Sequence, residues 1–261
     1  MHTIESDDYP LPESFPSDAT ILISGKELLE GINKTIYAVS KDSSRFALNG
    51  VCFSFNGNKL ELVATDGHRL ALFNIQINGK LEGKYIVPIK ALNELKKLVS
   101  DIEDVEIAVS ESTIFFKGYN YTMSARLLEG VFPDYKQVIP NNFNIEITLP
   151  KAELINSIKR ITIAEEDENK PIRMLLTKNK LIISTASRIS TDAYAEDEID
   201  TNYDGQEFEI GFNGKYILEA VDKIDSDNVI IKFINKDLQV VVIPENQEEN
   251  YLAVVMPMTL V

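Results

Sequence analysis

The chain has 261 residues, 44% of them apolar, and its 41 acidic and 26 basic side chains leave a net charge of −15. That length allows two domains with a sizeable core in each. No apolar run reaches the roughly 18 residues of a membrane-spanning helix, and the negative sum opposes simple nucleic-acid binding, because phosphates repel it. His2, His68 and the single Cys52 provide no His/Cys metal-ligand set. Cys52 has no internal disulfide partner, which fits a reducing cytoplasm, and its Val51-Cys52-Phe53 setting predicts a buried structural thiol.

Residues 1–18 carry five acids, three prolines and no Lys or Arg, as a tail or linker does. They lack the basic and apolar regions of a secretion signal. The first predicted helix, Ser24–Ala38, opens on a capping box of Ser24 and Glu27 and turns Leu28, Leu29, Ile32 and Ile36 inward. A strand follows at Val51–Phe55. In Leu60–Leu72 apolar residues alternate at Leu60, Leu62 and Ala64 and again at Leu70 and Leu72, the pattern of two half-buried strands. Asp66-Gly67 between them suits a tight hairpin because both residues tolerate positive φ. His68 and Arg69 come next, where the turn meets the strand. The second helix, Pro88–Val99, has a first-turn proline and turns Ile89, Leu92, Leu95 and Val99 inward. Strands are expected at Val105–Val109 and Thr113–Lys117. The third helix, Pro150–Ile163, buries Leu154, Ile155 and Ile158. After strands at Leu181–Ser184 and Phe208–Phe212, a fourth helix, Asn213–Ile224, is capped by Asn213 and buries Ile217, Ala220, Val221 and Ile224. Strands at Val229–Phe233 and Leu238–Ile243 precede an apolar terminal strand, Val254–Met258. Few helices and many short strands predict an α+β fold, with helices on one face of antiparallel sheets.

The pattern repeats. Ile21–Leu29 aligns with Ile147–Ile155 at an offset of 126, and Asn58-Lys59-Leu60 with Asn179-Lys180-Leu181 at an offset of 121. Two similar units follow, 19–140 and 141–261, joined at Tyr135–Asn144, and each looks doubled within itself. The four predicted helices hold ten basic and six acidic residues, so they are positive while the remainder is acidic. Lysines on the wet faces of amphipathic helices account for this. So does a surface that tracks a phosphate backbone without reading sequence.

Catalytic motifs are scarce. No phosphate-binding G-x-x-x-x-G-K-[ST] or G-x-G-x-x-G run occurs. Glu165-Glu166-Asp167-Glu168 reads as a solvated loop rather than a cation site. A Ser/His/Asp triad would need His68, with Asp66 two residues away and no nucleophile elbow. Binding remains: if the units pack side by side, Asp66–Leu70 and Val254–Met258 form a groove. Methionines there adapt to several partners, although Met256 and Met258 also suit an ordinary core.

A-T-D-G-H-R-L at Ala64–Leu70, followed by V-V-M-P-M at Val254–Met258, resembles the bacterial DNA polymerase III beta subunit family, the sliding clamps. The resemblance covers the second and third of that family's three domains. It implies two tandem clamp domains, 19–140 and 141–261, with 1–18 as the remnant of a first. It implies a non-catalytic processivity factor with no cofactor, whose helices line a central hole. Lys90 and Lys97 are then expected to face duplex DNA, with Lys41 and Arg45 beside them. A hydrophobic groove for short linear peptides is implied as well. Its first wall would hold Leu48, Thr65, Gly67, His68, Arg69 and Leu70, with Pro133 and Val138 near the join. Its second would hold Asn213, Tyr216, Leu238, Val240, Val254, Val255, Met256, Pro257, Met258 and Leu260. Partners implied are the DNA polymerase III alpha subunit, the clamp loader, other polymerases, mismatch-repair proteins and ligase. Gln137 stands where some family members carry arginine, Thr259 where the family's tail often has arginine, and the chain runs one residue past the usual leucine, to Val261. The family closes a ring dimer through its first domain, so this chain is expected to be a monomer or weak non-ring dimer. The alternatives are a self-sufficient trimeric ring of two-domain chains and, in another class, a hydrolase with His68 as base.

Overall fold

A computed structural model describes residues 14–16, 20–79, 81–164, 170–186 and 194–260. Most of the acidic tail over 1–18, the Glu165–Glu168 run and Val261 lie outside the described residues.

The first half of the chain runs β1 (Ile21–Ser24), α1 (Gly25–Thr35), β2 (Gly50–Asn56), β3 (Lys59–Thr65), β4 (Arg69–Gln76), β5 (Gly83–Pro88), α2 (Ile89–Leu98), β6 (Asp104–Val109), β7 (Thr113–Lys117) and β8 (Thr122–Arg126). The second half repeats it as β9 (Ile145–Pro150), α3 (Lys151–Ala164), β10 (Pro171–Thr177), β11 (Lys180–Thr185), β12 (Glu196–Asp200), β13 (Phe208–Asn213), α4 (Gly214–Asp222), β14 (Asn228–Phe233), β15 (Val240–Pro244) and β16 (Tyr251–Val255). Strand, helix and three strands thus recur four times, which is the α+β, internally doubled fold expected.

Within each half the two motifs exchange their leading strands. β1 joins β6-β7-β8 while β5 joins β2-β3-β4, and β9 and β13 do the same in the second half. The halves are then sewn edge to edge. β4 pairs antiparallel with β16, Leu70 opposite Val254 and Phe73 opposite Tyr251, to make one eight-stranded sheet, β5-β2-β3-β4-β16-β15-β14-β9.

That sheet is covered on both faces. Leu62, Ala64, Ala71 and Phe73 point into the main core with Leu28 and Ile32 of α1. Val63, Leu70, Leu72 and Val254 point the other way, under Phe132 and Tyr135 of the connecting segment. Half-buried strands were expected; Leu60–Thr65 and Arg69–Leu72 are instead buried on both sides, because the connection between the halves lies across the outer face. Cys52 sits on that outer face, fully buried.

Several local expectations need correction. Ser24 is the N-cap residue of α1 but its side chain makes no capping hydrogen bond; the Gly25 N–H donates instead to the Glu103 carbonyl at 2.8 Å. Pro88 and Pro150 end strands just ahead of their helices rather than starting the first turn. Ile89 is exposed. Leu238 precedes β15 and is exposed, because a turn over 234–239 delays the strand to Val240. Asn213 does cap α4, its side chain accepting from the Lys215 N–H at 3.0 Å.

Candidate functional site: a pocket at the seam of the two units

At the end of the seam lies a cavity of about 310 Å³, lined by Leu48, Thr65, Gly67, His68, Arg69, Leu70, Pro133, Asp134, Tyr135, Val138, Val254 and Met256. Four pieces of chain build it: the short helical turn Phe46–Leu48, the β3–β4 turn, the exit of β16 and the connecting segment. Thr65 and Leu70 face each other across the turn. Gly67 adopts φ +90, a conformation that glycine reaches without steric cost. Neither Asp66 nor His68 has positive φ. Asp66 contributes its carboxylate, with Oδ1 accepting from the His68 N–H at 2.9 Å and the Arg69 N–H at 3.1 Å. The Thr65 hydroxyl accepts from the Gly67 N–H at 3.1 Å and donates to the Arg69 carbonyl at 2.6 Å. The chain leaving β16 is tied to the turn, the Met256 N–H donating to the His68 carbonyl at 2.9 Å.

The remaining wall hangs on Tyr135, which was not expected here. Its ring is fully buried, edge-on to Phe132 at 6.3 Å between centroids. Its hydroxyl donates to Glu61 Oε2 at 2.6 Å. This anchor sets Pro133 and Val138 at the rim, and Gln239 Nε2 donates to the Val138 carbonyl at 3.1 Å.

Arg69 is the most constrained cation of the site, at 8% exposure. Nε donates to Asp66 Oδ2 at 3.1 Å and Nη2 to the Tyr37 carbonyl at 2.8 Å, while Nη1 pairs with Glu219 on α4. The guanidinium lies between two rings, 5.1 Å from the centroid of Tyr37 and 4.5 Å from that of Tyr216. Burial alone would lower its pKa; the Glu219 hydrogen bond and the charges of Glu219 and Asp66 outweigh burial and raise it. The His68 ring stacks on Tyr216 at 6.4 Å. The Asp66 carboxylate is committed to the turn and to Arg69, so it does not form the His68 dyad that a hydrolase would need.

Ten expected groove residues line this cavity, and the others lie elsewhere. Tyr216 joins Lys41, Arg45 and Lys215 around a second depression on the far side of His68 and Arg69. Arg45 Nη1 reaches the Asp66 carbonyl at 3.0 Å. Pro257, Met258 and Leu260 border a third cavity of about 400 Å³ against Gly211, where the Met258 N–H donates to the Gly211 carbonyl at 2.8 Å. Val240 and Val255 pair with each other inside the sheet and are fully buried, so they support the floor and meet no solvent. One expected groove is therefore three separate depressions, two of them bordered by the last residues of the chain and the third by Lys41, Arg45 and Tyr216.

Among the residues expected to face DNA, Lys90 is exposed on α2, and Lys97 is exposed but paired with Glu94 at 2.7 Å. Lys41 and Arg45 border the second depression. Among the described residues no group of His, Cys, Asp and Glu is arranged to hold a metal ion, and no helix is long and apolar enough to cross a membrane.

The family model for the DNA polymerase III beta subunit, central domain, matches residues 22–134, and that for its C-terminal domain matches 136–259. The beta sliding clamp of Staphylococcus epidermidis is 34% identical over 235 residues, covering 88% of this chain and 62% of that protein; that of Staphylococcus aureus gives the same figures. A Pseudomonas aeruginosa DnaN sliding clamp solved with griselimycin aligns with a TM-score of 0.90 at 29% identity, over 98% of this chain and 69% of that one. The beta subunit from Thermotoga maritima aligns at 0.89 and 26% identity, over 98% and 70%. The chain thus spans about 62% of the length of the curated relatives it matches.

Proposed function

The chain belongs to the DNA polymerase III beta subunit family, and from that premise we propose that it is a non-catalytic sliding-clamp polypeptide whose seam pocket captures short linear peptides of replication and repair proteins. The observation that carries this reading is the chemistry of the cavity. Its floor and walls are mostly apolar, from Leu48, Leu70, Pro133, Val138, Val254 and Met256, and its one turn is fixed by backbone and side-chain hydrogen bonds. A preformed apolar site with few, fixed polar groups takes an anchor side chain without first having to order itself. Leucine and phenylalanine side chains fit such a floor. The depression beside Lys41, Arg45 and Lys215 would accept a polar or acidic flank. Lys90 and Lys97 are proposed to face duplex DNA as sequence-independent counter-charges.

Fluorescence polarization with a labelled Gln-Leu-x-Leu-Phe peptide tests the pocket. A Kd on the order of micromolar is expected, weakened about tenfold by Met256→Ala, which removes one wall. Absence of binding by the folded protein would overturn the reading. So would equal affinity in the variant and the parent.

A further inference from the structure

Tyr216 and Glu219 lie three residues apart on α4 and so share a face. With that face the second unit grips the turn of the first: Tyr216 takes the His68 ring and the Arg69 guanidinium, and Glu219 takes Arg69 Nη1. Arg69 lines both the apolar pocket and the basic depression beside it, whereas Glu219 lines neither. We propose that Glu219 is a positioning residue of the peptide pocket, holding Arg69 back from the pocket mouth and so fixing the Gly67–Arg69 wall. This rests on the peptide-binding reading.

The argument is one of charge and room. A guanidinium at 8% exposure needs partners for its donors, and it has two carboxylates, one carbonyl and two ring faces. Without the Glu219 charge, Asp66 is its remaining carboxylate, and Nη1 keeps only a neutral, weaker acceptor. The two depressions that Arg69 lines are its routes to water. Either movement brings a cation to an apolar site or withdraws the support under His68. The same clasp joins the units, so the shape of the pocket depends on where α4 sits against the β3–β4 turn.

A double-mutant cycle reads this directly. Glu219→Gln is expected to weaken the Gln-Leu-x-Leu-Phe peptide about tenfold, because it removes the charge opposite a buried guanidinium from a carboxylate that is itself partly exposed. Glu94→Gln, which removes an acid from exposed α2, should leave affinity unchanged. In an Arg69→Met background, Glu219→Gln should cost nothing further, because its effect runs through the guanidinium. Parent affinity in Glu219→Gln, or its full loss repeated in the Arg69→Met background, overturns the proposal. Amide hydrogen exchange serves as a peptide-free readout, so a failure of the peptide-binding reading stays distinguishable. Faster exchange at His68 and Arg69 in Glu219→Gln supports the clasp even if no peptide binds, and unchanged exchange overturns it.

Discussion

Glu61 is 5% exposed and carries a charge under the outer face of the large sheet. Burial pushes its carboxyl pKa up, but the hydrogen bonds from Tyr135 and Lys59 and the charges of Lys59 and Lys136 outweigh burial and hold it below the usual range. Lys59 Nζ stands 2.9 Å away and Lys136 Nζ 3.4 Å. A depressed carboxyl pKa contributes stability that is whole above the unfolded value, about 4.3, and is lost as pH falls through the folded value. Tyr135→Phe should therefore destabilise the chain by about 1–3 kcal/mol near neutral pH, since it strips a buried charged acceptor of its shortest hydrogen bond. It should also move the acid limb of stability to higher pH. Urea unfolding between about pH 3 and pH 7 checks both, and identical pH profiles for variant and parent would refute the assignment. Tyr135 was illegible as a wall residue because its partner lies 74 positions upstream. Thr65, His68 and Leu70 were legible as wall residues through the resemblance of Ala64–Leu70 to the clamp family; the local pattern alone showed a tight turn between two strands. The same burial pushes the Cys52 thiol up to about 12, in keeping with a structural role.

Elements with a strong period were read correctly because one face of each meets the core: Thr113–Lys117 matches β7 residue for residue. β12 escaped notice because its five residues, Glu196–Asp200, include four acids. It is a strand because β11 pairs with it and because Arg160 and Lys180 neutralise Asp197 and Glu198. Such long-range compensation leaves no local pattern. The seam is subtler still. Ala64, Ala71 and Ala253 lie side by side across β3, β4 and β16, all with no exposed surface. Small side chains here leave no room between the sheet and the elements above it. Ala71→Leu should overpack this row and lower stability by about 1–3 kcal/mol, seen as an earlier urea midpoint. A midpoint equal to the parent's would mean the row has slack.

Across the whole molecule, the helical lysines do not all serve one surface, as their count alone had allowed. Lys34 is 4% exposed, with Glu30 at 3.1 Å on its own helix and Asp225 at 2.7 Å and Glu249 at 3.5 Å from the other unit. Burial would lower its pKa, but hydrogen bonds to Asp225 and Glu30 and their charges raise it. It is a rivet of the seam rather than a counter-ion for phosphate. Lys97 and Lys223 lean on neighbouring acids, and Lys151 donates to the Ile224 carbonyl. The cations left for a duplex are Lys26, Lys90 and Lys96, which have no acid partner among the described residues, and Lys97, whose exposed pair with Glu94 is weak enough to yield to a phosphate. Two substitutions separate the roles. Lys90→Ala should reduce weak duplex binding and flatten its dependence on salt, by close to one counter-ion if Lys90 meets a phosphate. Lys34→Met should leave that slope alone and destabilise the chain by about 1–3 kcal/mol, because the largely buried Glu249 side chain loses its cation while Glu30 and Asp225 stay solvated. Binding of a labelled duplex across a salt series, read beside urea unfolding, decides between them. A changed salt slope in Lys34→Met would put that lysine on the duplex surface and remove it from the seam.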